Sequence, residues 1–371
     1  MEFKDLKTQY IRHREAIDGA VRRNMEAGQF IGGEPVSRLE KRLADYVGVK
    51  HCISCANGTD ALLLALMAWG VGEGDAVFVP DFTFFSTAEV VPWVNAVPVF
   101  VDIDADTFNM SPQDLEAAIK KVKKEGRLTP RAVIAVDLFG QPAEYEKIRQ
   151  VAAQHDLLLL EDGAQGFGGK IGEKRACSFG DISTTSFFPV KPLGCYGDGG
   201  AVFTDNDEWA ALIRSYKVHG KGSGKYDNVR IGMNSRLDTI QAAVLLEKLC
   251  FFDEELEEMN RMASLYTERL QGSVKTPIIR QGYYSSWAQY TVQLADEWQR
   301  EETMRKLKAA EIPSVIYYEK PMHMQTVFAD ISRESTRCPI TERICATCLS
   351  LPMHPYLREE EVQTICSVLL S

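Results

Sequence analysis

Short apolar runs alternate with amphipathic stretches along most of the chain. The strand-like runs cover residues 51–54, 76–80, 97–102, 132–137, 157–161, 182–187 and 201–204, and helical spacing follows several of them, from residues 60, 86 and 143. Apolar runs bounded by polar turns are typical of strands buried on both faces. Strands that alternate with helices predict a doubly wound α/β fold with a mostly parallel sheet.

The pattern changes in the last third of the chain. Before it, helical spacing marks residues 3–24 and 36–47 at the start of the chain. The last third begins with residues 235–270, a long, strongly helical stretch. Beyond it, residues 289–295 and 313–318 are strand-like, and residues 301–310 and 358–370 are helical. A chain of 371 residues is long enough for two packed domains. We therefore predict a large α/β domain over residues 1–250 and a smaller α+β domain over residues 251–371.

A carboxylate and a lysine stand at the ends of two predicted strands. The apolar run Leu157–Leu160 stops at Glu161 and Asp162, and Lys191 follows the next strand in a turn flanked by prolines. This pair suits pyridoxal phosphate chemistry, in which a lysine amine binds the cofactor aldehyde and a carboxylate keeps the pyridine nitrogen protonated. Taken alone, either residue is more simply explained as a turn cap or a surface lysine.

Other residues at predicted strand ends suit the same cofactor. Gly58 and Thr59 begin a helix directly after a strand, where exposed amides bind phosphate. Phe84 follows the next strand and could stack on a pyridine ring, although taken alone it is more simply explained as an ordinary core residue. Gln165 could reach the phenolic oxygen of the cofactor, and Ser186 could donate to its phosphate.

Charge and cysteine usage exclude several functional classes. The formal net charge of −10 argues against a general nucleic-acid surface. No apolar run is as long as a membrane span and no signal peptide is evident, so we expect a cytoplasmic protein. Nine scattered cysteines include the pairs Cys52/Cys55 and Cys345/Cys348, but the apolar surroundings of the first pair favour buried thiols. We predict no metal site.

The motifs occur in a fixed order along nearly the whole chain. They are Asn57-Gly58-Thr59-Asp60-Ala61-Leu62, Glu161-Asp162-Gly163-Ala164-Gln165, Ser186-Phe187-Phe188-Pro189-Val190-Lys191, Gly197-Asp198-Gly199-Gly200, Asn234-Ser235-Arg236-Leu237-Asp238 and Leu351-Pro352-Met353-His354-Pro355. The set resembles the DegT/DnrJ/EryC1/StrS family of sugar aminotransferases. The resemblance implies an aspartate-aminotransferase-like (type I) fold, with a large mixed, mostly parallel sheet domain and a smaller C-terminal α+β domain, and pyridoxal 5'-phosphate as cofactor.

The resemblance also implies a role for each motif residue. Lys191 would bind the cofactor and act as general acid and base, and Asp162 would hold the proton on the pyridine nitrogen. The remaining cofactor contacts would come from Gln165 at the phenolic oxygen, Phe84 on the ring, and Gly58, Thr59 and Ser186 at the phosphate. Asn234 would reach the phosphate in the neighbouring subunit, which implies a homodimer with shared sites. Related sugar dehydratases carry histidine in place of the lysine, so Lys191 favours transamination.

The wording of the motifs is most similar to one branch of the family. Its members use L-glutamate to aminate carbon 3 of UDP-2-acetamido-2-deoxy-3-oxo-glucuronate for bacterial surface polysaccharides such as O-antigen. The resemblance implies that Arg236 meets the uronate carboxylate, although an ion pair with Asp238 at a helix end is an equally plain explanation. The other candidate sugar contacts are His219, for which a capped helix end is the alternative, and Tyr317, Tyr318 and His323.

Two other functions remain open from the sequence. One is amination of carbon 4 in a 4-keto-6-deoxy nucleotide sugar. The other is a catalytically idle homologue that only binds a nucleotide sugar. The complete set of Lys191, Asp162 and Gln165 argues against the second, because binding alone needs no carboxylate at the cofactor ring.

Overall fold

The computed structural model describes residues 1–224, 226–331 and 337–371. Within these ranges the α-helices are α1 Leu6–Ala27, α2 Glu34–Val47, α3 Gly58–Ala68, α4 Phe85–Trp93, α5 Pro112–Glu125, α6 Tyr145–Gln154, α7 Asp207–Tyr216, α8 Thr239–Lys248, α9 Phe252–Leu270, α10 Glu297–Ala309, α11 Pro339–Thr347 and α12 Glu359–Leu370. The strands are β1 His51–Cys55, β2 Asp75–Pro80, β3 Val97–Val101, β4 Thr129–Val136, β5 Leu158–Asp162, β6 Lys170–Ile171, β7 Lys174–Arg175, β8 Ile182–Ser186, β9 Gly200–Thr204, β10 Tyr283–Tyr284, β11 Tyr290–Gln293 and β12 Cys348–Leu351.

One seven-stranded sheet organises the larger part of the chain. Its strand order is β1-β9-β8-β5-β4-β2-β3. β9 pairs antiparallel with both β1 and β8, and the other neighbouring strands pair in parallel. β9 therefore runs against the six other strands. The predicted large, mostly parallel mixed sheet is confirmed.

Both faces of this sheet are covered, as the apolar strands require. In β2, Val77 and Val79 belong to the core on the side of α3, whereas Ala76 and Phe78 belong to the core on the side of α5. All four side chains have no exposed surface. Alternate residues of a strand point to opposite faces, so a strand that is apolar at every position needs a layer of helices on each side.

The C-terminal part has its own core around a two-stranded antiparallel sheet, β11 with β12. Helices α9, α10 and α12 pack on it, and its fully buried members include Tyr266, Tyr290, Leu307, Leu349 and Ile365. The smaller α+β unit of the predicted fold is present. The boundary at residue 250 stays a prediction; it falls between α8 and α9.

The helical stretch predicted over residues 235–270 is two helices, not one. α8 ends at Lys248 and α9 begins at Phe252. Asp253, Glu254 and Glu255 occupy the first turn of α9, where negative charge complements the helix dipole and favours a new start. Residues 252 and 256 pack in the core of the large unit and residues 259 and 262 in the C-terminal core, so α9 contacts both.

Two other expectations differ from the structure. Residues 313–318 were predicted as a strand but contribute only an isolated bridge between Val315 and Ser350. Pro313 has no N–H to donate to a strand partner, which explains the weak pairing. α5, α7, α11 and β12 were not predicted, and neither were the two-residue strands β6, β7 and β10. No helix of the described residues combines the length and apolar character that crossing a bilayer requires.

A buried pair of carboxyl groups connects β5 to the turn before β8. Glu161 accepts hydrogen bonds from the backbone N–H of Cys177 at 2.5 Å and of Phe179 at 2.7 Å, and from the Ser183 hydroxyl at 2.8 Å. Asp137 uses Oδ1 to accept from Tyr145, which leaves Oδ2 to face Glu161. Burial and then the Glu161 charge raise the pKa of Asp137 well above its usual value. Burial and the Glu161 charge therefore favour the protonated form of Asp137 in the folded protein.

Protonation of Asp137 makes the stability of the fold depend on pH in a defined direction. Because the pKa of Asp137 is raised on folding, the folded state binds more protons than the unfolded state, and stability falls as pH rises above the ordinary carboxyl range. We expect Asp137→Asn, whose amide replaces the protonated carboxyl, to remove this slope. Above the ordinary carboxyl range the wild type should lose up to about 1.4 kcal/mol per pH unit relative to the variant, as long as the folded state holds the extra proton. Urea unfolding followed by circular dichroism at several pH values measures this difference, and parallel stability curves for the two proteins would contradict it.

Candidate active site

Four parallel strands end at one edge of the sheet and bring the candidate residues there. β1 leads into Gly58 and Thr59, and β2 leads through Asp81 to Phe84. β5 ends at Asp162, and β8 ends at Ser186, five residues before Lys191. Ligands of open α/β sheets bind at this carboxyl edge. The structure thus groups these predicted cofactor residues at one edge of the sheet.

Backbone hydrogen bonds and the side chain of Lys248 hold the turn that carries Lys191. Its backbone N–H donates to the carbonyl of Phe188 at 2.8 Å, and the N–H of Cys195 closes the turn on Phe187 at 2.8 Å. The ammonium of Lys248, which is 2% exposed, donates to the carbonyl of Gly194 at 2.7 Å. Lys248 therefore anchors this turn to α8, a role that the sequence analysis did not assign.

Burial disfavours the charged forms of Lys191 and Asp162, and the charge of each residue stabilises that of the other. Burial lowers the pKa of Lys191, and the Asp162 charge counteracts this shift. Burial raises the pKa of Asp162, whereas hydrogen bonds from the Thr87 hydroxyl at 2.8 Å and from the Ala164 N–H at 3.2 Å lower it. These two donors stabilise the carboxylate form in a place where water cannot. Thr87 was not singled out from the sequence.

Two helix N-termini form a cradle beside these residues. Asn57 caps α3 by accepting from the N–H of Asp60 at 2.8 Å. The Thr59 hydroxyl lies 2.8 Å from the hydroxyl of Ser86, in the first turn of α4. A Cβ at Gly58 would lie 2.7 Å from the Cβ of Ser186, so only glycine allows this approach. Amides and hydroxyls that converge in this way suit a phosphate.

Phe84 presents an exposed aromatic ring at the same place. It is 53% exposed, and the Lys191 Nζ lies 6.0 Å from its ring centroid. The alternative that Phe84 is ordinary core is therefore wrong. A large aromatic ring left open beside a half-buried lysine is suited to cover a planar ligand.

Gln165 connects the sheet edge to the C-terminal part of the chain. Its side-chain oxygen accepts from the N–H of Phe139 at 2.8 Å, and its side-chain nitrogen donates to the Tyr318 hydroxyl at 3.1 Å. Its backbone carbonyl accepts from Ser286 at 2.6 Å. Tyr317, the residue before Tyr318, has its ring centroid 6.3 Å from that of Phe3. The structure therefore places Tyr318 beside the cofactor candidates.

His323 is oriented by a buried carboxylate at the end of β2. Asp81 accepts from the His323 N–H at 2.8 Å and bonds its Nδ1 at 2.7 Å. This hydrogen bond raises the pKa of His323. Cys338 completes the one group of possible metal ligands within the described residues, with ligand atoms within 4.8 Å of one another. The sequence analysis did not single out Asp81.

Three of the predicted residues lie on the surface of the single chain. Asn234, Arg236 and His219 are exposed. In the described residues, no ion pair joins Arg236 to Asp238, so the helix-end explanation for Arg236 is not supported. His219 follows α7 in a left-handed conformation, with φ 65°. The structure does not bring these three side chains into contact with Lys191.

The arrangement fits pyridoxal phosphate. It offers an amine for an aldehyde, a buried carboxylate for a ring nitrogen, an open aromatic ring for a pyridine and a cradle of amides and hydroxyls for a phosphate. Ser86 and Thr87 belong to the stretch that also carries Phe84. Ser86 and Thr87 come shortly after the end of β2, and this position is the sequence signal that could have identified them.

Comparison with known proteins assigns the chain. The family model of the DegT/DnrJ/EryC1/StrS aminotransferase family matches residues 12–370. The UDP-2-acetamido-2-deoxy-3-oxo-D-glucuronate aminotransferase of Pseudomonas aeruginosa is 45% identical over 100% of this chain and 99% of its own. The UDP-N-acetyl-3-dehydro-alpha-D-glucosamine 3-aminotransferase of Acidithiobacillus ferrooxidans is 39% identical over 98% and 96%.

A solved structure supports the same assignment. The crystal structure of a DegT DnrJ EryC1 StrS aminotransferase from Brucella abortus superposes with a TM-score of 0.97, at 49% identity, and covers 100% of this chain and 98% of that one. The aspartate-aminotransferase-like fold and the pyridoxal phosphate cofactor are thereby confirmed. The chain belongs to the DegT/DnrJ/EryC1/StrS aminotransferase family and is a pyridoxal-phosphate-dependent sugar aminotransferase.

Proposed function

We propose that the chain transfers the amino group of L-glutamate to carbon 3 of UDP-2-acetamido-2-deoxy-3-oxo-glucuronate. The observation that carries aminotransfer is the buried Lys191 amine beside Asp162 and the open face of Phe84. The two relatives named above support the substrate, because both names describe amination of carbon 3 in a UDP-linked sugar. The product would supply an amino-uronic acid for a bacterial surface polysaccharide.

The residues of the site divide the reaction among themselves. Bound pyridoxal phosphate supplies an electron sink for a carbanion. Asp162 holds a proton on the pyridine nitrogen, and Thr87 and Ala164 keep Asp162 ionised for this task. Lys191 removes the proton from the α-carbon of glutamate and, with the keto-sugar bound, performs the reverse proton transfer at carbon 3. Its burial favours the neutral amine that a base requires.

The other contacts orient the substrates. Gly58, Thr59 and Ser186, with Ser86 beside them, would hold the phosphate, and Gln165 would meet the phenolic oxygen. Tyr318, held by Gln165, contacts the sugar with its neighbour Tyr317. His323 contacts the sugar, and its bond to Asp81 raises its pKa and so favours the protonated ring. Arg236 pairs with the uronate carboxylate, and His219 lies near the sugar.

We propose a homodimer in which each site takes residues from both chains. Asn234 and Arg236 are exposed here, and exposed apolar side chains flank them in sequence and in space. Ile231 is 91% exposed, and Ile31, which is 44% exposed, forms a bridge with Asp238. An apolar surface around polar site residues is typical of a protein interface. In the dimer, Asn234 would meet the phosphate in the partner's site.

We also propose a cytoplasmic location. All nine cysteines lie in the described residues and none forms a disulfide there. Eight are buried, and burial raises the pKa of Cys55 to about 12. Such thiols act as small apolar side chains in a reducing compartment.

Replacing the lysine tests the catalytic assignment. Lys191→Ala should lower turnover more than about 1,000-fold, because the base and the cofactor-binding amine are lost together. Lys191→Arg should be equally inactive, since the guanidinium keeps the charge but has no free amine to offer. Formation of 2-oxoglutarate from glutamate measures turnover, and circular dichroism checks the fold. Wild-type turnover in either variant would exclude Lys191 as the catalytic residue.

Parallel assays with two keto-sugars test the substrate. The purified enzyme in its amine form should regain its yellow absorbance with the 3-oxo-glucuronate nucleotide and not with a 4-keto-6-deoxy nucleotide sugar. Because Arg236 would pair with the carboxylate, Arg236→Met should weaken the apparent affinity for the first by at least about 10-fold, or ~1.4 kcal/mol. The opposite preference would make the enzyme a carbon-4 aminotransferase.

Mixed dimers test the shared site. Lys191→Ala and Asn234→Ala chains, each inactive alone at low cofactor concentration, should form one intact site per heterodimer if Asn234 acts across the interface. Random mixing should then restore about a quarter of the wild-type activity. The control mixes two differently tagged Lys191→Ala chains, which have no intact site to form. No recovery in the first mixture would place Asn234 in the site of its own chain.

A further inference from the structure

A small cavity lies beside Lys191, on the side of α9. It has a volume of about 60 Å³ and is lined by the N-terminal residues Lys4 and Asp5, by the Lys191 turn, by Glu255 of α9 and by His354. This volume exceeds what a single water needs and is sufficient for a carboxylate group. The cavity therefore opens a place for a small polar group directly next to the reactive amine.

Lys4 brings an amine without a carboxylate partner to this cavity. It is partly buried and, in the described residues, forms no ion pair. Burial and the nearby Lys191 ammonium lower the pKa of Lys4 to about 7. The segment is fixed by the carbonyl of Phe3, which accepts from the N–H of Met353 at 3.2 Å. Lys191 has Asp162 as its counterion, whereas Lys4 has none within the described residues, so an anion bound beside Lys4 would favour its charged form.

The carboxylates of the protein that line the cavity are already engaged. Asp5 caps α1 and accepts from the N–H of Thr8 at 2.8 Å and from its hydroxyl at 2.6 Å. Glu255 accepts from Gln9 at 2.9 Å and from the Tyr356 hydroxyl. Neither carboxylate forms an ion pair with Lys4. Within the described residues, the amine of Lys4 is therefore left without a carboxylate partner.

His354 adds a second group that is short of partners. It is 5% exposed, and neither ring nitrogen forms a hydrogen bond of normal geometry. The ring lies toward the backbone carbonyl of Glu2. Burial lowers the pKa of His354 to about 4, so the ring is neutral at pH 7 and carries one N–H donor. A buried polar ring without partners is costly, and a bound acceptor would remove that cost.

We infer that Lys4, with His354 beside it, forms a carboxylate-binding subsite next to the Lys191 amine. This inference rests on the proposed function, in which both substrates carry a carboxylate near the reacting atoms. The α-carboxylate of the amino donor is attached to the carbon from which Lys191 removes a proton. The uronate carboxylate of the sugar is the other source of the same chemistry, and the two half-reactions distinguish them.

The experiment measures the two half-reactions of the holoenzyme separately. Loss of the yellow absorbance with glutamate reports the donor, and its return with the keto-uronate nucleotide reports the sugar. Lys4→Met should raise the half-saturating concentration of one substrate at least about 10-fold. Lys4→Arg should restore most of the affinity, because it keeps the charge. Lys41→Met, which removes an exposed lysine of α2, controls for net charge.

Each outcome assigns or overturns the subsite. An effect on glutamate alone assigns it to the donor, and an effect on the sugar alone assigns it to the uronate. Wild-type values for both substrates in Lys4→Met overturn it.

Calorimetry with glutarate and with D-glucuronate provides a readout that needs no turnover. Lys4→Met should weaken binding of the matching probe by the same factor, and unchanged binding of both probes contradicts the subsite. If the wild type reacts with glutamate but not with the keto-uronate, the proposed substrate fails while the donor assay still tests Lys4.

Discussion

The active site depends on the hydrogen bonds that Glu161 makes on the face of β5 opposite to Asp162. Glu161 and Asp162 are neighbours on one strand, so they point to opposite faces of the sheet. Glu161 collects the N–H groups of the turn before β8 and thereby fixes β8 beside β5. That alignment sets the distance between the end of β5, which carries Asp162, and the turn that carries Lys191. A buried carboxylate with a full set of donors can enforce such an alignment, whereas apolar packing alone would tolerate a shift.

The larger and smaller parts of the chain share the site through polar contacts. Gln165 binds Tyr318 and Ser286, and Asp81 binds His323. α9 continues this connection, because its first residues pack in one core and its later residues in the other. The residues that orient a sugar are therefore held by the same elements that hold the cofactor. A change in the packing of the two parts would alter both.

Much of the fold follows from the sequence because each strand of the large sheet has a simple signature. The run Leu157–Leu160 and the polar residues after it predicted both a buried strand and the place where its carboxylate would lie. The break between α8 and α9 was missed, since helical periodicity continues through Leu249–Phe251 and only the acidic first turn of α9 marks it. Lys248 and Asp81 were missed for a different reason. Their roles depend on partners far away in the sequence, Gly194 and His323, which periodicity does not reveal.

The exposed ring of Phe84 links cofactor supply to the stability of the enzyme. A large apolar ring that is 53% exposed gains little from folding alone. A planar ligand that covers it adds burial available only to the folded chain. By mass action, such a ligand stabilises the folded state by an amount that grows with the logarithm of its free concentration. Cells short of vitamin B6 would then hold less of this enzyme because the uncovered form unfolds and is degraded, and not only because fewer sites are active.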